Sequence, residues 1–318
     1  MIKRLPTIDH PVRSLDEIYE LAVERTKKYG PYRVAVAAVE TIMSLGGLKL
    51  GREHELIEPI LIGDQKKIFQ SMEKLEISPK GWQIIAEKDH HRATKKAAGM
   101  VSSGLADILM RGKLLARDFF HVLLAPEMEL RRKGDMWNNI AVLDIEGIDR
   151  LLFLSDCALV SDTDLPGRLK LIQNAFEFAM FLGVKEPKVA LLAAVEAVTP
   201  GMPVSLEEAV IAKMSERGQF PPGIEIDGPL SLDLSLIMES VKKKKIKSPV
   251  AGRADVLVVN NLSIGNILFK SMITLCGARS ASVIVGAPIP IILTSRSESP
   301  ENSLFSFALT ILMSGPKD

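Results

Sequence analysis

Short apolar runs alternate with segments of helical length along this chain, and that alternation limits its fold more than any other feature. RVAVAAV (33–39), Glu58–Asp64 closed by Gly63, Trp82–Ala86 and Ala106–Met110 each read as a short buried strand. Between and around them, Ser14–Lys28, Thr41–Leu56, Gln65–Leu75, Arg92–Ser103 and Leu114–Leu124 read as helices. Ser14 caps the first, with Glu17 three residues on. Gly46-Gly47 weakens the second, since glycine is a poor helix former. Such alternation calls for a parallel sheet with crossover helices, because parallel neighbours need a long connection.

The middle of the chain changes character. Asn139–Asp144 and Arg150–Leu154 flank Glu146-Gly147 and read as a hairpin. A long helix, Leu165–Leu182, follows, with apolar residues at Leu169, Ile172, Ala175, Phe176 and Ala179. Lys188–Ala193, Ile224–Asp227, Asp255–Val259 and Ser282–Val285 are further strands. Ser205–Arg217 opens with a capping-box pattern, Ser205 and Glu208, and Ile264–Cys276 is another helix. Near the end, Ile289–Leu293 reads as a buried strand leading to Thr294-Ser295-Arg296. Ser299-Pro300 then starts a last helix before the apolar stretch Leu304–Met313.

With 318 residues the chain is long enough for two domains. Its 47% hydrophobic and 25% charged content is that of a packed protein. A net charge of +1 gives no reason to expect nucleic acid or an anionic membrane as partner, and Lys242–Lys245 reads as a solvated helix end. Cys157 and Cys276 both lie among apolar residues and read as buried thiols in a reducing compartment. The first nine residues lack an apolar core, and no apolar run approaches the roughly 20 residues of a spanning helix. A cytoplasmic protein is expected. His90-His91, in DHHRATKK, reads as a solvated pair rather than a metal site.

Polar residues recur where strands end: Met110-Arg111-Gly112, Ser155-Asp156, Asp227-Gly228, Asn260-Asn261 with Gly265-Asn266, and Ser295-Arg296. In a parallel sheet such ends share an edge, where open α/β folds place ligands. Arginine offers a planar fork to phosphate or a developing oxyanion, and Gly265-Asn266 falls at a helix start that suits an anion. Each item also has a structural use: Asp227-Gly228 makes a turn, and Asn260-Asn261 caps a helix. No phosphate loop, GxGxxG or cysteine cluster accompanies them. The residues alone imply an α/β enzyme with an anion-friendly cleft.

LTSRSESPENSL (293–304) resembles the carboxyl-terminal signature of the phosphate acetyl/butyryltransferase family, and that of phosphate butyryltransferases most closely. Further matches run in order along the chain: EPILIGD from Glu58, ADILMRG from Ala106, RLLFLSDCALV from Arg150, KVALLAAVEAV from Lys188, AKMSERGQF from Ala212, IDGPLSLD from Ile226, SPVAGRADVLVV from Ser248 and GNILFK from Gly265. The resemblance implies a reversible acyltransferase reaction, acyl-CoA plus phosphate giving acyl phosphate plus CoA, with no cofactor. It also implies a fold similar to the isocitrate and isopropylmalate dehydrogenases, with two α/β domains, mainly parallel sheets and an interdomain cleft. By that analogy residues 1–135 and 290–318 form one domain, and the inserted 136–289 form a second that makes a homodimer or larger assembly.

The same resemblance assigns roles. Arg296 neutralises phosphate or the oxyanion, Ser295 hydrogen-bonds the thioester sulfur, and Arg111 is a second phosphate clamp where butyryl-type relatives usually carry lysine. Asn266 and Lys270 match the family's GN and following lysine; Lys270 lines the cleft or faces solvent. Asp227 belongs to the matched IDGP segment. The acetyl-specific branch has an aspartate base where this chain has Asn302, so Glu298 or Glu301 substitutes for it, or phosphate needs no base. His121 stands near a position where the family often has an arginine, and Asn260-Asn261 stands where it usually has Pro-Asp.

Overall fold

The computed structural model describes residues 8–132, 134–293 and 299–316. The chain divides into two compact units. The first holds Leu15–Asp135 and 280–316, and the second holds 8–14 and Met136–Arg279. In chain order the first unit begins with α1 (Leu15–Tyr29), β1 (Tyr32–Ala37), α2 (Ile42–Glu53), β2 (Ile57–Gly63), α3 (Gln65–Lys74), β3 (Gln83–Ala86), α4 (His90–Ser102), β4 (Ile108–Arg111) and α5 (Ala116–Leu123). The second contributes β5 (Asn138–Asp144), β6 (Leu152–Ser155), α6 (Leu165–Phe181), β7 (Lys188–Leu192), α7 (Pro203–Glu216), β8 (Glu225–Leu230), α8 (Leu232–Leu236), α9 (Met238–Lys244), β9 (Val256–Val258) and α10 (Leu262–Cys276). The chain then returns through β10 (Arg279–Val285), β11 (Ile291–Ile292) and α11 (Pro300–Ser314).

In the first unit the strands run β3-β2-β1-β4-β11-β10. All neighbours are parallel except β11 with β10. The chain steps outward from β1 to β2 and β3, then crosses to β4 on the other side, so β1 and β4 flank a topological switch point. Val34 to Ala37 and Ile108 to Met110 are fully buried, as apolar strands covered on both faces must be. Helix α2 runs unbroken through Gly46-Gly47. A side chain at Gly47 would stand 2.7 Å from the Ser303 Cβ, so the glycine is required by the close approach of α2 to α11.

In the second unit the order is β5-β6-β9-β7-β8. β5 and β6 form the expected antiparallel hairpin, and β6, β9, β7 and β8 are parallel. Residues 8–14 lie against this unit as a strap: the Ile8 amide donates to the Phe181 carbonyl and the Val12 amide to that of Leu182, both at 3.0 Å. Gly183, with φ +82°, leaves room for the His10 backbone.

Two local readings are corrected. Pro203 takes the first turn of α7 and Met202 its cap, so Ser205 does not cap; its hydroxyl bonds the Thr199 and Met202 carbonyls, and Glu208 is drawn into the interior. Cys157 is buried, but Cys276 is exposed, because α10 buries only Gly265 and Met272. Among the described residues no helix is long and apolar enough to cross a membrane. Lys242 to Lys245 are solvent-exposed at the end of α9.

Candidate active site

In the first unit the carboxyl ends of β1, β4 and β11 share one edge. Beyond β1 the chain turns through Ala38, whose φ of +54° is a strained backbone for a residue with a side chain, to Glu40. Beyond β4 it passes through Arg111-Gly112-Lys113. These segments touch: the Gly112 amide donates to the Ala37 carbonyl at 2.8 Å and the Lys113 amide to that of Ala38 at 2.9 Å. A side chain at Gly112 would come within 2.5 Å of the Ala37 oxygen. Arg111 is buried and its Nη1 donates to the Leu114 carbonyl at 2.6 Å. His121 is exposed in the last turn of α5.

Glu40 gathers basic side chains from three elements. Its carboxylate, wholly inside, accepts from His90 Nε2 at 2.9 Å, Lys67 Nζ at 3.3 Å and Lys113 Nζ at 3.5 Å. Its backbone carbonyl accepts from the Ser71 hydroxyl. Burial pushes the Glu40 carboxyl up, but hydrogen bonds from His90 and Lys67 outweigh it and hold the group below its ordinary range. His90 is therefore a hydrogen-bond partner of Glu40 as well as a partly exposed residue.

β11 lies parallel to β4 with Ile292 opposite Met110. Ser295, Arg296 and Glu298 lie outside the described residues. On their far side Ser299 caps α11 by accepting from the Asn302 amide at 3.2 Å, as the Ser299-Pro300 pair predicts. Asn302 is buried, and its Oδ1 accepts from the Ser280 amide at 3.0 Å. Glu301 is exposed in the first turn.

In the second unit, Ser155-Asp156 ends β6 and is buried. The Asp156 carboxylate accepts from the amides of Asn139, Ala158 and Leu159 at 2.6–2.8 Å, and its pKa is raised because burial exceeds those bonds. It organises the turn rather than lining a surface. Asn261 caps α10 through the Ile264 amide. Gly265 sits so close that any side chain would overlap the Asp156 carbonyl, which brings Asn266 Nδ2 to 3.1 Å from the Cys157 carbonyl. Lys270 is exposed one turn further on. Asp227 lies on β8, three strands from β6, and its Oδ1 accepts from the Gly228 amide at 2.8 Å. The structure thus joins Asn266 to the Asp156–Cys157 turn and leaves Asp227 apart, roughly 14 Å away at the usual strand spacing.

The Phosphate acetyl/butaryl transferase family matches residues 86–311. The chain belongs to this family. It is 33% identical to a phosphate butyryltransferase of Clostridium acetobutylicum, over 96% of this chain and all of that protein. It is 34% identical to a phosphate acetyltransferase of Thermotoga maritima, over 93% of this chain and 98% of that one. A solved branched-chain phosphotransacylase of Enterococcus faecalis superposes with a TM-score of 0.75 at 27% identity, covering 88% of this chain and 99% of that one. The family is enzymatic, and the mixed α/β fold with mainly parallel strands is that of its solved members.

Sequence reasoning passed over Glu40, Lys67 and Lys113. The signal that picks out Arg111, a charged residue at the end of an apolar strand, applies equally to Glu40. It also passed over a buried ion pair near the start of α7. Arg168 Nη2 lies 2.5 Å from Glu208 Oε1, and Glu207 reaches the Arg168 guanidinium at 3.7 Å. Glu208 Oε2 and Arg168 Nε are buried with no hydrogen-bond partner among the described residues. Burial overrides the attraction of Arg168 and raises the Glu208 carboxyl to about 7.

Proposed function

We propose that this enzyme reversibly transfers a short acyl group, butyryl in preference to acetyl, from acyl-CoA to inorganic phosphate. Family membership along nearly the whole chain is the observation that carries this reading. A phosphate oxygen attacks the thioester carbon, the tetrahedral oxyanion collapses, the C–S bond breaks, and CoA leaves as thiolate to take up a proton. The reaction balances with those two substrates alone, so it needs no cofactor. Positioning and oxyanion stabilisation supply the rate. Arg296 is assigned to the phosphate or oxyanion, Ser295 to the sulfur, and Glu298 to any proton phosphate must lose. Arg111, Asn266, Lys270, Asp227 and His121 are assigned to substrate binding.

Butyryl preference is favoured by Asn302. It stands where the acetyl branch has its base, and its carboxamide oxygen is engaged in packing against β10. Free thiols fit a cytoplasmic setting. Helix α10 exposes Ile264, Ile267 and Leu275, an apolar stripe at helical spacing that suits burial in a homodimer. The test is release of CoA from acetyl-, butyryl- and longer acyl-CoA, with phosphate or arsenate present and omitted, on protein whose mass is checked by sedimentation. The expected result is anion-dependent release from a dimer, fastest with butyryl-CoA, and reduced roughly 100-fold or more by Arg296→Gln. No release from any donor overturns the activity; fastest release from acetyl-CoA overturns the butyryl preference; a monomer at micromolar concentration overturns the dimer.

A further inference from the structure

We propose that Lys67, His90 and Lys113, gathered on the buried Glu40 carboxylate, form a subsite for a phosphate group. The inference rests on the acyltransferase reading and adds a place where a substrate's phosphate is held. One carboxylate cannot neutralise three basic groups: two lysines leave at least one positive charge over, and a protonated His90 leaves two. Glu40 is 0% exposed, whereas the side chains of Lys67, Lys113 and His90 are 50%, 48% and 32% exposed. Each ammonium spends one of its three donors on Glu40 and keeps others on its open side. The carboxylate acts as an internal anchor that gathers three basic side chains at one point, lowering the entropy lost when they grip an anion.

Position supports the same conclusion. Glu40 and Lys113 leave the adjacent strands β1 and β4 at the topological switch point, where open α/β sheets take ligands. The surrounding helices add partial positive charge, reduced at α3 and α4 by their capping residues Asp64 and Asp89. α2 begins two residues after Glu40, Lys67 is in the first turn of α3, and His90 is the first residue of α4. Gly112 keeps the two strand ends in backbone contact, and Ala38 is strained to deliver Glu40.

Two substrates carry phosphate groups: inorganic phosphate and CoA. Calorimetric titration with phosphate, CoA and pantetheine, which has no phosphate, distinguishes them. The proteins are wild type, Lys67→Gln/Lys113→Gln and the charge-preserving Lys67→Arg/Lys113→Arg. If CoA supplies the group, the Gln pair weakens CoA roughly tenfold or more and leaves pantetheine and phosphate unchanged. If inorganic phosphate supplies it, phosphate binding weakens and CoA binding does not. In either case the Arg pair retains most of the wild-type affinity. CoA and phosphate affinities of the Gln pair both within twofold of wild type overturn the subsite and leave the acyltransferase reading standing. Equal weakening by the Gln and Arg pairs also overturns it. A wild-type protein that binds none of the three ligands overturns both.

Discussion

Each unit buries a glutamate against basic side chains, and the two respond to burial in opposite ways. Glu40 faces three partners that remain partly in water, and its carboxyl is held below the ordinary range. Glu208 faces essentially one, Arg168, itself only 4% exposed, and its carboxyl rises to about 7. Neither carboxylate touches solvent, but Glu208 lies deeper, so burial penalises its charge more. A partner that keeps its own hydration donates a hydrogen bond at little desolvation cost, whereas two enclosed charges must both give up water. Depth, together with the count and wetness of the partners, sets the sign.

The comparison breaks most sharply at Arg168. Arg168→Met strands Glu208 without a counter-charge and is expected to cost about 3–5 kcal/mol by urea unfolding, with Arg168→Met/Glu208→Leu recovering most of it. A single variant within about 1 kcal/mol of wild type would mean that Glu208 is already neutral when folded. Glu40→Gln is next: loss of its charge-assisted hydrogen bonds is expected to cost about 2 kcal/mol, and neither Lys67→Gln nor Lys113→Gln alone should reach half of that. pH dependence separates the two glutamates as well. From its ordinary value of 4.5 to about 7, Glu208 binds more proton folded than unfolded. Its contribution is therefore complete below 4.5 and lost as pH rises through 7. Glu40 works the other way, contributing above its unfolded value and losing that contribution as acid protonates the folded carboxyl. Unfolding free energies measured from about pH 2.5 to 8 should therefore flatten between 4.5 and 7 in Glu208→Gln and below 4.5 in Glu40→Gln.

Strands and helices were legible because each is a local pattern: apolar runs buried on both faces, and 3.6-residue stripes bounded by caps and glycines. The exceptions had distant causes. Gly46-Gly47 reads as a weak point until Ser303 is seen against it, more than 250 residues along the chain. Ser205 reads as a cap until Pro203 takes the first turn. Cys276 reads as buried because its sequence neighbours are apolar, yet α10 turns most of that surface outward. The strand-end logic picks out Arg111 and the Asn266 turn as strand-end positions, but the bond from His90 to Glu40 is invisible to it because the partner lies 50 positions earlier in the chain. Ion pairs join residues that no periodicity links.

The strap of residues 8–14 has a practical consequence for anyone dividing this protein. A fragment cut at 136 and 279 discards the strand-like cover that Phe181 and Leu182 bond to, and uncaps the apolar patch closed by Val12. Trimming the first fourteen residues, a routine step when tidying an expression clone, would injure the distal half of the polypeptide, far along the chain from the cut.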